Sequence, residues 1–219
     1  MFDMKIIMFA IHIMTEGTKR WYPYFLIFFC TFSVCALEKT EVQSPINVLR
    51  ENISAAIKIL EDPMYIPEEN SDLQRKELCS VAKNMLDIYA FSRLVLTKTW
   101  HKMNDRQQKD FVTTLSDFLC RYYLRELQSR YAGETVKFKE QVYKSDTLAN
   151  VSGQLHWKNL EIPFTVRMVQ RENRWRAYDI VVAGISAVII YRTQFSDRLK
   201  HVNVDGLIDE IRSYSPNTQ

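Results

Sequence analysis

Asp179 and Ser186 are the residues whose types most invite a chemical role. Asp179 sits between Tyr178 and Ile180 with Trp175 nearby, which suits a pocket acid or base in a small cone-shaped α+β enzyme. The structural alternative is an acceptor for backbone N–H groups, or for an arginine such as Arg192 or Arg93. No catalytic partner is legible in the sequence, which favours the structural role. Ser186 follows a glycine, but Gly184-Ile185-Ser186-Ala187-Val188 lacks the second glycine of a nucleophile elbow. Its hydroxyl is expected to cap a helix instead.

Other chemistries find little support. His101, His156 and His201 are widely separated, and none stands at metal-ligand spacing from another His or Cys. His156 falls on an expected strand and reads as a surface or rim residue. No Gly-rich phosphate loop is present, since beyond residue 36 the glycines are Gly133, Gly153, Gly184 and Gly206. A net charge of +3 is too small to argue for nucleic acid. No catalytic residue, metal or cofactor is therefore expected.

The first 36 residues read as a secretory signal peptide. Lys19 and Arg20 precede the apolar run from Tyr24 to Ala36, which is shorter than the roughly 20 residues a spanning helix needs. Met14 offers an alternative start, because Met14 to Arg20 forms a more ordinary basic n-region. The alternative to cleavage near Ala36 is an uncleaved anchor. Lipidation of Cys35 is disfavoured by Val34 before it. Removal of this segment leaves a chain of net charge +2 with two cysteines, Cys79 and Cys120. Both fall in expected helices, where a disulfide and two buried thiols are both open.

Residues 37–219 read as one α+β domain with a helical N-terminal half. Ser44-Pro45 opens a helix that Asp62-Pro63 ends. Ser71 and Gln74 are spaced as a capping box for a second helix, whose apolar stripe is Leu78, Ala82, Met85 and Tyr89. Phe91 to Trp100 forms a further short helix. Asn104 caps the longest one, about Asp105 to Tyr131, and Gly133 stops it. Four runs with period-2 alternation follow, separated by polar turns, as in an antiparallel meander of about four strands. Pro163 suits an edge or a bulge. Gly184 stops the last strand and turns it straight into a helix. A final helix starts at Asp205, with Val204 placed as its staple.

Aromatic residues are plentiful, with eleven Tyr and twelve Phe. Their stripes fit a solid core and a large apolar pocket equally well. The pocket version draws Phe111, Leu115, Phe118 and Tyr122 from the long helix. It draws Trp157, Phe164, Val166, Tyr178, Ile180 and Val182 from the sheet, and Ile185, Val188 and Tyr191 from the corner around Gly184. A one-residue slip of register reverses the strand face.

The run Trp175-x-x-Tyr178-Asp179-Ile180-x-x-x-Gly184-Ile185-Ser186-x-Val188-x-x-Tyr191-Arg192-x-x-Phe195 resembles the signature of the MlaC or toluene-tolerance family of periplasmic proteins. Three other segments agree in order and spacing. They are Phe91-x-x-Leu94-x-Leu96-x-x-x-Trp100, the Asp105 to Tyr123 stretch, and Val204-Asp205-Gly206-Leu207-Ile208. Ala183, Ala187 and Thr97 depart from the family pattern, which often has Glu, Leu or Met, and Gly there. The smaller Ala187 is where the cavity mouth is expected to differ. The resemblance implies a curved sheet wrapped on helices, as in nuclear transport factor 2 (NTF2-like). It implies a monomeric periplasmic phospholipid carrier with acyl chains in an apolar pocket and the headgroup facing solvent. The implied partners are an inner-membrane MCE-domain ABC transporter complex and an outer-membrane lipoprotein–porin complex. Carriage of another lipid, such as a hopanoid, and an enzyme using Asp179 are the alternatives.

Overall fold

The computed structural model describes residues 43–214. The expected signal peptide lies outside them. Among the described residues no helix is long and apolar enough to cross a membrane.

Helix α1 (Pro45–Glu61) begins where Pro45 occupies a first-turn position whose N–H would have no helical partner. The Ser44 side chain makes no cap. Instead, the Ile46 N–H donates to Gln141 Oε1 at 3.0 Å, across from the sheet. Helix α2 (Ser71–Met85) starts where expected, but Ser71 and Gln74 do not form a capping box. Gln74 is buried and bridges three helices. Its Nε2 donates to the Ile59 carbonyl, and its Oε1 accepts from Gln128. Asp87 then caps helix α3 (Ile88–Leu96), accepting the Ala90 N–H at 2.8 Å. Tyr89 therefore belongs to α3 rather than α2, and is 44% exposed. Trp100 lies in a separate single turn of 3₁₀ helix, because Thr97 at φ +49° ends α3. Helix α4 (Asp105–Arg130) has the Asn104–Gln107 capping box.

The sheet is open and antiparallel, in the order β1 (Thr135–Ser145), β2 (Leu148–Trp157), β3 (Leu160–Arg171), β4 (Arg174–Val182), β5 (Ile185–Ser186). Four long strands and a two-residue fifth make it up. Ala183 and Gly184, at φ +49° and +82°, make a two-residue turn, and Val182 pairs with Ile185. The chain thus makes a short hairpin before helix α5 (Ala187–Arg198), instead of passing straight from strand to helix. Pro163 lies on the interior strand β3 with unbroken register to β2, neither at an edge nor at a bulge there. Its carbonyl accepts the Ala183 N–H at 2.9 Å, where β4 has ended. Gly153 is required by close packing, because a Cβ there would lie 2.4 Å from the Lys137 carbonyl oxygen and 2.6 Å from the Phe164 ring. Helix α6 (Val204–Ser213) is capped by Asn203, so Val204 lies inside it rather than ahead of it.

These elements enclose two large apolar clusters. One sheet face, including Val151, Leu155, Val166, Met168 and Trp175, packs on Leu49, Ile53 and Ile57 of α1. Helices α3 to α6 pack around Phe111, Leu115, Tyr191 and Phe195. A smaller cluster joins α1, α2 and α4, and there Cys79 and Cys120 form a disulfide with Cα atoms 5.3 Å apart.

Candidate functional site

The seam between the two large clusters is set by residues too small to fill it. Ala82 of α2, Ser116 of α4, Ala177 of β4 and Ala187 of α5 all face it. Around them stand Leu86, Phe91, Leu119, Leu124, Ile180 and the ring of Tyr191. The result is an apolar cavity of about 100 Å³. Its walls are pinned at a few points. The Asp87 N–H donates to the Ala177 carbonyl at 2.8 Å, which ties the α2–α3 junction to β4. The disulfide ties α2 to α4, and Cys120 itself borders the cavity.

Tyr123, Tyr191 and Asp179, which border this cavity, are engaged in the fold. The hydroxyls of Tyr123 and Tyr191 bond to each other at 2.7 Å. Burial pushes both phenols well above their ordinary pKa, so both stay neutral. The Asp179 carboxylate is almost fully buried and accepts three hydrogen bonds. The donors are Arg167 Nη1 at 2.9 Å, Ser186 Oγ at 2.7 Å and the Val188 N–H at 3.0 Å. Its cationic partner is Arg167, not Arg192 or Arg93. Ser186 Oγ in turn accepts the Ile189 N–H at 3.2 Å and caps α5. The two residues therefore form one structural unit that fastens β4 to the start of α5. Among the described residues no cluster of His, Cys, Asp and Glu has the arrangement to hold a metal.

Of the residues expected to line a pocket, Tyr178, Ile180 and Tyr191 border this cavity. Phe111, Leu115, Phe118 and Val188 lie in the helical cluster, with the Phe111 ring edge-on to Phe195 at 5.6 Å. Tyr122 is half-buried, stacked on Phe118 beside Tyr214. Phe164, Val166 and Val182 belong to the cluster under α1. Trp157 is half-buried at the end of β2, with the Lys158 ammonium 4.7 Å from its ring centre, and Ile185 is 40% exposed. The alternation in β4 breaks at Tyr178. β3 pairs Arg167 with Asp179 and Met168 with Ala177, which leaves Tyr178 as the extra residue of a bulge. Ile180 and Val182 therefore share the cluster of Trp175 and Ala177, while Tyr178 leaves that face.

The small residues Ala82, Ser116 and Ala177 were not legible as site residues. Their only signal is smallness on otherwise apolar faces, which a packed core shows as well. Ala187 stood out in the sequence as one of three positions that depart from the family pattern.

The sequence profile described as "MlaC protein" matches residues 50–213. No curated protein matches the chain. Among solved structures, a phospholipid-binding protein from Ralstonia solanacearum, determined in complex with a phospholipid, is similar with a TM-score of 0.68. The two are 18% identical, and the match covers 77% of this chain and 95% of that one. At that identity the likeness is one of fold.

Proposed function

The chain belongs to the MlaC family, and on that basis we propose that it is a periplasmic phospholipid-binding carrier rather than an enzyme. The observation that carries this proposal is the apolar cavity between the sheet and the helical layer, with Tyr123, Tyr191 and Asp179 engaged in the fold. The relative from Ralstonia solanacearum, which shares the fold and binds a phospholipid, supports the same reading. A disulfide between α2 and α4 suits an oxidising compartment.

The driving force is elementary. Each methylene moved from water into an apolar site contributes about 0.8 kcal/mol, so two acyl chains supply more than their ordering costs. A cavity of about 100 Å³ is smaller than the ~150 Å³ that holds one benzene. Acyl chains therefore enter as the two apolar clusters part along their seam. The disulfide keeps α2 and α4 together, and Asp179 keeps β4 on the start of α5, while they do so. The carrier shuttles lipid between inner and outer membranes and so maintains outer-membrane asymmetry. It exchanges cargo with an MCE-domain ABC transporter complex on one side and a lipoprotein–porin complex on the other.

The test is native mass spectrometry of residues 37–219, purified gently and then incubated with phospholipid vesicles, followed by lipid extraction. A one-to-one lipid complex is expected. Ala187→Phe puts a ring into the cavity and is expected to abolish loading while circular dichroism stays unchanged. A wild-type chain that carries no lipid and accepts none sinks the proposal.

A further inference from the structure

The second wall of Tyr178 faces a different environment. On its far side lies a surface groove of about 470 Å³, lined by Arg93, His101, Arg171 and Arg192 with apolar residues between them. No acidic residue lines it. Tyr178 borders both this groove and the apolar cavity. Asp87, at the cavity, holds Arg171 of the groove at 3.1 Å and spends its other carboxylate oxygen on the Ala90 N–H. Arg192 is braced by donating Nε to the Leu94 carbonyl at 3.0 Å, a bond that does not use its two terminal nitrogens. The Arg93 guanidinium lies 5.9 Å from the Tyr89 ring centre. Neither Arg93 nor Arg192 has a carboxylate partner among the described residues. Arg171, the third arginine of the groove, has its carboxylate partner in Asp87. Thr97, a β-branched residue held at φ +49°, stands at the rim of this groove. Such strain persists where the surroundings enforce it and gathers at ligand sites.

We infer that this groove seats the phosphate of the bound lipid: Arg93 and Arg192 bond the anionic headgroup while the acyl chains pass beside Tyr178 into the cavity. Guanidinium groups match phosphate oxygens in pairs, and braced ones lose less entropy on binding than free ones. The bulge at Tyr178 is then the threshold between the two halves of one amphiphile. This assignment rests on the carrier reading. It adds to it that the headgroup is held by the protein rather than left in water, and that the chain selects phosphate-bearing lipids.

The experiment offers delipidated protein an equimolar mixture of phosphatidylglycerol and diacylglycerol with identical acyl chains, and counts both by native mass spectrometry. The wild type is expected to favour the phospholipid at least about tenfold, the worth of one charge-assisted bond. Arg93→Gln with Arg192→Gln is expected to bring that ratio near one by losing phospholipid, with diacylglycerol uptake moving less than twofold. Arg93→Gln alone, which gives up only a ring contact, moves the ratio the same way and serves if the double variant melts early. Lys58→Gln with Lys144→Gln removes the same charge elsewhere and is expected to leave the ratio alone. A ratio that survives in the arginine variants overturns the headgroup site while the carrier reading stands. So does equal uptake of both lipids by the wild type. Inorganic phosphate that shifts the Arg93 and Arg192 side-chain resonances, with no effect of the variants on lipid choice, makes the groove a free-anion site and also overturns it. A wild type that takes up neither lipid removes the carrier reading and this one together.

Discussion

Replacing Asp179 separates a structural carboxylate from a catalytic one. Its side chain is 1% exposed, and it accepts from Arg167, Ser186 and the Val188 N–H. Asp179→Ala strands the Val188 N–H, takes the acceptor from Ser186, and so loosens the cap of α5. Arg167 suffers least, since its side chain is 42% exposed and water can replace the carboxylate. Breaking a buried charge-paired group in this way costs about 3–5 kcal/mol. For a domain of this size that lowers the melting temperature by roughly 6–20 °C. Asp179→Asn keeps the shape and one acceptor oxygen for Val188, but offers an N–H₂ towards Arg167, so about 2 kcal/mol is expected. Arg167→Gln is expected to cost about 1 kcal/mol or less, given its exposure. Urea unfolding followed by circular dichroism measures all three, and a double-mutant cycle between positions 167 and 179 isolates the pair. A stability change under about 0.5 kcal/mol for Asp179→Ala would refute the reasoning, because three stranded partners cannot be that cheap. A fully stable Asp179→Asn that loses a turnover activity would restore the enzyme alternative.

Cys79→Ser with Cys120→Ser opens a loop of 41 residues and is expected to cost about 2–4 kcal/mol in urea unfolding, against under 1 kcal/mol if the bond does not form in the native protein. Gly153→Ala sets a Cβ against the Lys137 carbonyl and is expected to destabilise by about 2 kcal/mol or more; an unchanged melting curve contradicts the packing described. The Tyr123–Tyr191 pair makes stability fall at high pH. Burial raises both phenol pKa values in the folded chain, so above about pH 10 the unfolded chain sheds protons that the folded one keeps. Stability is therefore flat with respect to this pair below pH 10 and declines above it, by up to ~1.4 kcal/mol per pH unit for each tyrosine. Tyr123→Phe with Tyr191→Phe is expected to flatten that limb, and an unaltered alkaline slope counts against the burial argument.

Much of the fold could be read from local chemistry. Pro45, Asp62-Pro63 and the Asn104 cap act within one or two turns of backbone, so their positions in the sequence state their function. The meander was legible because alternation and polar turns are also local. Gln74 shows the limit. Its spacing from Ser71 matched a capping box, yet contacts with Ile59 and Gln128, distant in sequence, claimed the side chain. Tyr89 shows another, because Asp87 cuts α2 from α3 with a cap that the apolar stripe runs across.

The candidate site divides in the same way. The Trp175 to Phe195 signature, with three further segments in order and spacing, pointed to the family from the sequence alone, and the aromatic content pointed to a large apolar interior. Tertiary structure decided which apolar residues face open space and which face one another. A bulge at Tyr178 moved one strand's alternation by a residue, and no pattern of hydrophobicity records a bulge whose flanks both remain apolar. Phe111 and Leu115 look the same in sequence whether they line a cavity or fill a core. In this structure the approach of α4 to α5 packs Phe111 on Phe195. The cavity exists where Ala82, Ser116, Ala177 and Ala187 meet, and those four come from four elements whose convergence is a property of the packed chain.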